Sequence, residues 1–501
     1  MESALASDTT VIRQIAQNVT EHLQEDEKDS FLLAYALVAL VICLILSVFI
    51  SNRLSWFPSV GLYMVIGYYL QKFIVYKLSS KYNESVVEDH GQYTSLLSYC
   101  FFPLQMFQYG FSLDAPVFLR NAKVITTLSV CSAILFIFLF SFLLSNISVA
   151  CGLRPFGWWN LLAFAAAMGA SDSAFMVPFL QSCGCCDHII AILEGETVLS
   201  EVVAILVFRT VVELQINVVN GVMVLSGLWY FCSFLVNSFA IGIATSVLSS
   251  FLLKWLDDRN SGVNTIKVIL FFCVPLITYM IGEGMHISSS ISMRICGFIM
   301  SCYTQYNLNE ETRLFVHKMV RFTGYFCEVC SFLVLGMISY NLQPFSVSPL
   351  WLLITFAVLV VSNYASITGV LATVMRWVEP RSDFLSHRHI AVLYIVYRGS
   401  VSFTLTARAE GELLQNDQVV LMMRLSLCVI WISLIQHVLF SCPYTGFQKF
   451  AKSIVSGEDE EAEVSDWMKR VQSRLGALLI RKESTVKSPL DMNDEEMKEF
   501  V

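Results

Sequence analysis

Charge is what this chain of 501 residues has least of, with 14% Asp, Glu, Lys and Arg where an ordinary soluble domain has about 25%. The formal net charge of −8 comes largely from the ends. No basic stripe exists, so nucleic acid is not an expected partner. Residues 1–30 lack the compact apolar core of a cleavable signal peptide and form a polar lead-in. Motifs of intramembrane enzymes are also missing: paired YD and GxGD aspartates, a GxSx serine with a membrane histidine, and HExxH. The chain is therefore expected not to be an enzyme, and nothing in it calls for a cofactor. Its 15 cysteines are scattered mostly through apolar runs, as small, reduced, buried side chains and not as a disulfide framework.

What is abundant is apolar sequence, 56% of residues at a mean hydropathy of +0.63, which implies an all-α polytopic membrane protein. Hydrophobic segments fall near residues 31–50, 56–77, 94–113, 122–145, 158–180, 189–209, 224–253, 265–282, 287–303, 320–340, 348–376, 388–408 and 418–441. That makes about 13 spans of roughly 20 residues each. The expected organisation is a polar lead (1–30), a transmembrane domain (31–443) and a short cytoplasmic tail (444–501). An odd number of spans puts the termini on opposite sides. With the tail inside, the inner loops take most of the cations, among them Lys254, Arg259, Lys267, Arg313, Lys318 and Arg321, while the outer side holds fewer, including Lys72, Arg154, Arg209 and Arg408. The sequons at Asn18, Asn83 and Asn146 then also lie outside, with the N-terminus.

If the long seventh span is a linker, spans one to six and eight to thirteen form two inverted six-helix repeats, the plan of secondary transporters with broken helices at the midplane. The fifth and twelfth spans become partners and both are interrupted, by Gly169, Asp172 and Pro178 in one and by Arg398 and Gly399 in the other. Acidic residues sit inside the apolar stretch from 160 to 210, where an ionised group costs several kcal/mol unless paired, hydrated or neutralised. Glu194, Thr197 and Glu201 lie at i, i+3 and i+7 on one helix face, and Glu196 turns away. Arg398 is a mid-membrane cation that needs an anion, for which repeat logic nominates Glu196.

At these residues the chain resembles the sodium/proton exchanger family of monovalent cation:proton antiporters, as a divergent member. GETVLSE (195–201) is similar to the family's GESLLND, ASDS around Asp172 to AVDP, and Tyr397-Arg398-Gly399 to LRG. The run from Tyr279 through Glu283 to Ser288 is similar to YLSAExFHFS, and Glu328 with Phe332, Leu335 and Gly336 to SETxIFxFLG. The matches keep their order across residues 56–441.

The resemblance implies the antiporter fold with crossed broken helices, a homodimer in the plasma membrane or an endomembrane, and exchange of Na⁺ (with Li⁺ or K⁺ as alternatives) for H⁺ in pH and ion homeostasis. By the same resemblance Glu201 takes the position of the ion- and proton-binding aspartate. Asp172, Thr197 and Ser200 complete that site, Glu196 and Arg398 form a structural ion pair, and Glu194, Glu283, Ser288 and Glu328 support the site or line the ion path. No other metal is implied. The departures from the family pattern fall in the site: Glu201 for aspartate, Ser200 for asparagine, Thr197 for serine, Ser173 for proline, and Glu194 for an apolar residue. A transport-inactive or channel-like relative is therefore the alternative reading. Arg294 and Arg424 are expected to snorkel or to pair within a bundle, His286 to end a helix, and Cys183 to His188 to be a weak soft-ligand cluster. In the tail, Val464 to Ile480 has the spacing of an amphipathic helix on the lipid surface or on the cytoplasmic face of the protein.

Overall fold

A computed structural model of the chain describes residues 38, 40–46, 49, 59–82, 90–113, 115–153, 156–171, 187–216, 223–256, 261–285, 287–371, 373, 398–412, 416–441, 474–475 and 478–479. Among these the elements are helical: α1 (Ser59–Tyr82), α2 (His90–Leu96), a π-turn (Leu97–Phe101), α3 (Phe102–Ser112), α4 (Ala115–Arg120), α5 (Ala122–Ala150), α6 (Trp158–Gly169), α7 (Asp187–Ile216) and α8 (Met223–Trp255). There follow α9 (Ser261–Gly284), α10 (Ser289–Cys302), α11 (Glu310–Leu342), α12 (Pro349–Val370), α13 (Ser400–Glu412) and α14 (Asn416–Ser441). Six of the described helices are long and apolar enough to cross a membrane, in α5, α8, α9, α11, α12 and α14. Helix α7 is long enough but carries Glu194, Glu196, Glu201 and Arg209, and α6 and α13 are cut short by their breaks. Large apolar side chains lie exposed on the outer faces, such as Phe138, Trp229, Phe322 and Leu353, as expected where lipid replaces water as the surrounding medium.

The packing forms two bundles. In one, α1 packs on α11, α3 on α10, and α8 and α9 on α10; in the other, α5 packs on α7 and α12, α6 on α7 and α13, and α13 on α14. Helix α8 also runs along α7, joining the two.

The inverted repeat is visible in the first bundle, whose two most extensive helix contacts, α1 with α11 and α3 with α10, exchange places when the second and third spans are matched to the ninth and tenth. Both crossings use the same device. A side chain at Gly67 would strike the carbonyl of Leu333, and one at Gly336 the carbonyl of Met64; likewise Gly297 faces the carbonyl of Phe107, and Gly110 that of Arg294. In each of the four helices the glycine stands three residues after the residue whose carbonyl is approached. Small residues let membrane helices come close enough for dense van der Waals packing. Met64 and Arg294 are thereby repeat equivalents, an apolar residue in one half and a cation in the other.

The ends of α8 and α10 and the tail meet on one face. Lys254 Nζ donates to the Leu478 carbonyl at 2.6 Å, and the Asn307 amide donates to the carbonyls of Ser250 at 3.1 Å and Leu479 at 2.9 Å. Leu479 is buried there, while Leu475 and Leu478 stay exposed.

Candidate functional site

Helix α7 presents Thr197, Ser200 and Glu201 into the protein, each no more than 5% exposed. Thr197 Oγ1 donates to the Glu194 carbonyl at 2.8 Å and Ser200 Oγ to the Thr197 carbonyl at 3.0 Å, so both hydroxyls lie back along their own helix. Ser200 Oγ also lies 3.3 Å from Ser171 Oγ, in the break that follows α6. That break is held from the other repeat half: the Ala170 backbone is extended, and its carbonyl accepts from Ser402 Oγ of α13 at 2.8 Å. The break after α6 therefore lies beside Ser200 and against the first turn of α13. Asp172, Ser173, His286 and the segment from Cys183 to Asp187 lie outside the residues whose side chains are described, as does His188.

Glu201 meets a cation of the protein itself. Arg294 Nη2 lies 2.7 Å from Glu201 Oε2, with both side chains 4% exposed, and Arg294 Nη1 donates to the Val198 carbonyl at 2.7 Å. On its other side the guanidinium touches Met106 Sδ and stacks 5.9 Å from the centre of the Tyr109 ring, both on α3. Arg294 thus belongs to the first bundle by its backbone and its aromatic neighbour, and to the second by its anion. Arg294 was expected to snorkel or to pair within a bundle; it pairs instead across the two bundles, with Glu201. The signal in the sequence was a lone arginine in the middle of a short, otherwise apolar and hydroxyl-rich helix; the unmatched Met64 in the other half singles it out.

Glu196 and Arg398 are both buried and attract each other electrostatically. Arg398 stands just before α13 with its guanidinium 5.4 Å above the Phe136 ring of α5, and its backbone N–H donates to Ser433 Oγ of α14 at 3.4 Å. The Glu196 carbonyl accepts from Ser129 Oγ of α5 at 3.2 Å. This group lies wholly inside the second bundle.

Arg408 was assigned by sequence to the outer side of the membrane. The structure places it within α13, its side chain 10% exposed and 3.4 Å from Glu283 Oε1 at the end of α9. The helix runs to Glu412, past the expected end at residue 408, so Arg408 lies within it and not in a loop. Arg408 Nη2 also donates to the Ser98 carbonyl at 3.2 Å. The π-turn makes that carbonyl available: the Phe102 N–H bonds to Leu97 and not to Ser98, and Pro103 next in line has no N–H to offer. Ser289 Oγ donates to Glu283 Oε1, and Ser288 is buried just before α10. Glu194, Glu328 and Arg424 are half-buried on α7, α11 and α14.

Inverted repeats and helices interrupted beside buried carboxylates are the architecture of the antiporter fold. Residues 36–442 match the family described as "Sodium/hydrogen exchanger, transmembrane", and the chain belongs to that family. Sodium/hydrogen exchanger 8 of Gallus gallus is 24% identical over 323 residues, 63% of this chain and 55% of its own length. Sodium/hydrogen exchanger 5 of Arabidopsis thaliana is 23% identical over 339 residues, 66% of this chain and 64% of its own. The chain thus spans a little over half the length of the first of these curated relatives. The sodium proton antiporter MjNhaP1 from Methanocaldococcus jannaschii has a structure similar in fold, with a TM-score of 0.63, 12% identity, and coverage of 86% of this chain and 100% of that one.

Proposed function

We propose that this protein is a secondary antiporter that exchanges a monovalent cation for H⁺ by alternating access, in the service of pH and ion homeostasis. The observation that carries this reading is Glu201, a carboxylate buried on α7 next to Ser200, which meets the break after α6, in a chain of the exchanger family. A proton and a partly dehydrated cation compete for such a group, so each crossing carries one or the other. The hydroxyls of Thr197 and Ser200, the carboxylate of Asp172 and the freed backbone carbonyls are hard oxygen donors, which suits Na⁺, with Li⁺ and K⁺ as the other candidates. Glu196 with Arg398 holds the crossing together, and Glu194, Glu283, Ser288 and Glu328 support the path. The working unit is a homodimer in the lipid of the plasma membrane or an endomembrane. The lead (1–30) and the N-terminus lie outside or in the lumen, the transmembrane domain covers 31–443, and the tail (444–501) lies in the cytoplasm, where Leu479 docks.

The Arg294–Glu201 ion pair favours one second reading, a transport-inactive relative whose site is filled by its own guanidinium. Purified protein in proteoliposomes separates the two. An imposed Na⁺ or Li⁺ gradient drives a change of internal pH in an antiporter, and Glu201→Gln abolishes it while leaving the protein folded. A wild-type protein that moves neither ions nor protons rejects antiport, and a cation current without proton movement makes the protein a channel.

A further inference from the structure

We infer that Arg294 is a tethered counter-cation that locks the two bundles together through Glu201, and that loading the site with a transported ion releases the lock. The inference rests on the proposed role of Glu201 and adds a residue that controls when the carrier moves.

The geometry is that of a bolt across a seam. Arg294 is anchored in the first bundle, where its own carbonyl packs against Gly110 and its guanidinium lies beside Met106 and Tyr109 of α3. Its two charge-assisted bonds cross to α7 in the second bundle, one to Glu201 and one to the Val198 carbonyl. A buried ion pair that joins two bodies resists their relative motion, because separating them leaves two charges uncompensated in a low-dielectric interior. Alternating access requires such motion of one bundle against the other. A proton or a cation on Glu201 neutralises the carboxylate, removes the attraction that holds Arg294, and leaves the bundles free to move. The unloaded carrier stays locked. The same pair explains how an unloaded, ionised Glu201 is tolerated within the membrane, since the guanidinium neutralises it.

The repeat supports a specific purpose for this arginine. Its counterpart Met64 occupies the same place at the equivalent crossing, beside Gly67 and against α11, so that crossing geometry alone does not demand a cation. The charged member is on the helix that faces Glu201.

A competitor held in place raises the concentration of ion needed to occupy the site. The test compares wild type, Arg294→Gln and Arg294→Lys, each full-length and purified, in two assays: cation-driven pH change in proteoliposomes over a series of Na⁺ or Li⁺ concentrations, and melting temperature in detergent over the same series at constant ionic strength. Arg294→Gln should lower the half-saturating concentration about tenfold or more, the factor that 1.4 kcal/mol of lost competition produces, and Arg294→Lys, which cannot hold Glu201 and the Val198 carbonyl together, should lower it less. If wild type is silent and Arg294→Gln transports, the lock is supported and antiport by the native chain is rejected. Equal half-saturation in all three overturns the lock and leaves antiport standing. If Arg294→Gln does not fold, an Arg294→Lys protein indistinguishable from wild type overturns it. If no variant transports and no melting temperature responds to the cation, both readings fail.

Discussion

Taking the guanidinium away from Arg398 leaves Glu196 buried within the second bundle, where an uncompensated charge is strongly destabilising, by about 3–5 kcal/mol for buried pairs in general. Arg398→Ala is therefore expected to reduce the yield of folded protein, read by size-exclusion chromatography in detergent, far more than it changes ion preference. Replacing both residues, Arg398→Met with Glu196→Gln, removes the two charges together and should recover part of the loss; a double variant as poor as the sum of the singles shows that they are not coupled. Loss of Arg294 likewise leaves a buried carboxylate, but on the proposed role of Glu201 a transported ion can take the guanidinium's place, so ion affinity should change as well as yield. These two arginines were not equally legible in the sequence. Arg398 lies in a run similar to the family's LRG, and its charge inside an apolar stretch asks for a partner that the repeat can supply. Arg294 lies in no motif, and its partner comes from a helix of the other bundle, which neither periodicity nor spacing along α10 reveals. Arg408, expected in an outer loop, lies within α13, which was hidden for a related reason. Its anion, Glu283, and the carbonyl of Ser98 belong to α9 and the π-turn, so nothing local to α13 shows that it is satisfied inside.

Helix crossings set how far the carbonyls of one element stand from the next, and among the described glycines the four at the two equivalent crossings come nearest to a facing carbonyl. Gly110→Ala puts a methyl into the carbonyl of Arg294, which is backbone and yields only if the helices part, at a cost of about 1–3 kcal/mol for overpacking. The melting temperature in detergent should fall for Gly110→Ala and for its repeat equivalent Gly336→Ala, while Gly284→Ala, with open space around its new methyl, should leave it unchanged. An unshifted Gly110→Ala shows that the α3–α10 crossing has slack. At this scale the sequence was informative, because hydropathy and length place most spans within a few residues of the described helices, although α11 starts at Glu310 and not near 320, and the glycine and proline interruptions mark α6 and the start of α13. The crossings themselves were hidden, since a glycine in an apolar span reads the same whether it meets a carbonyl or lipid.

For the whole molecule the prediction is one-for-one, electroneutral exchange. Charges fixed to the protein, Arg294 and Glu196 with Arg398 among them, make the outward and the return journey alike, so they cancel over a complete cycle. Only the difference between the two loads remains, one proton against one monovalent cation at Glu201, and Ser200 beside it cannot titrate. Clamping the membrane potential in proteoliposomes while following cation-driven pH change measures this difference, and the rate should stay flat with voltage. A rate that climbs steeply with voltage rejects electroneutrality and has two distinguishable sources. A second proton taken up by Glu194, on the same face about 10 Å along the helix from Glu201, increases the pH change for each cation moved, and Glu194→Gln restores the flat response. Slip of an unloaded carrier, its Glu201 neutralised by Arg294 but the lock failing to hold, moves cation with less pH change than one proton each, and Glu194→Gln leaves that deficit untouched. The ratio of protons to cations therefore reports whether the Arg294–Glu201 pair keeps the empty carrier still.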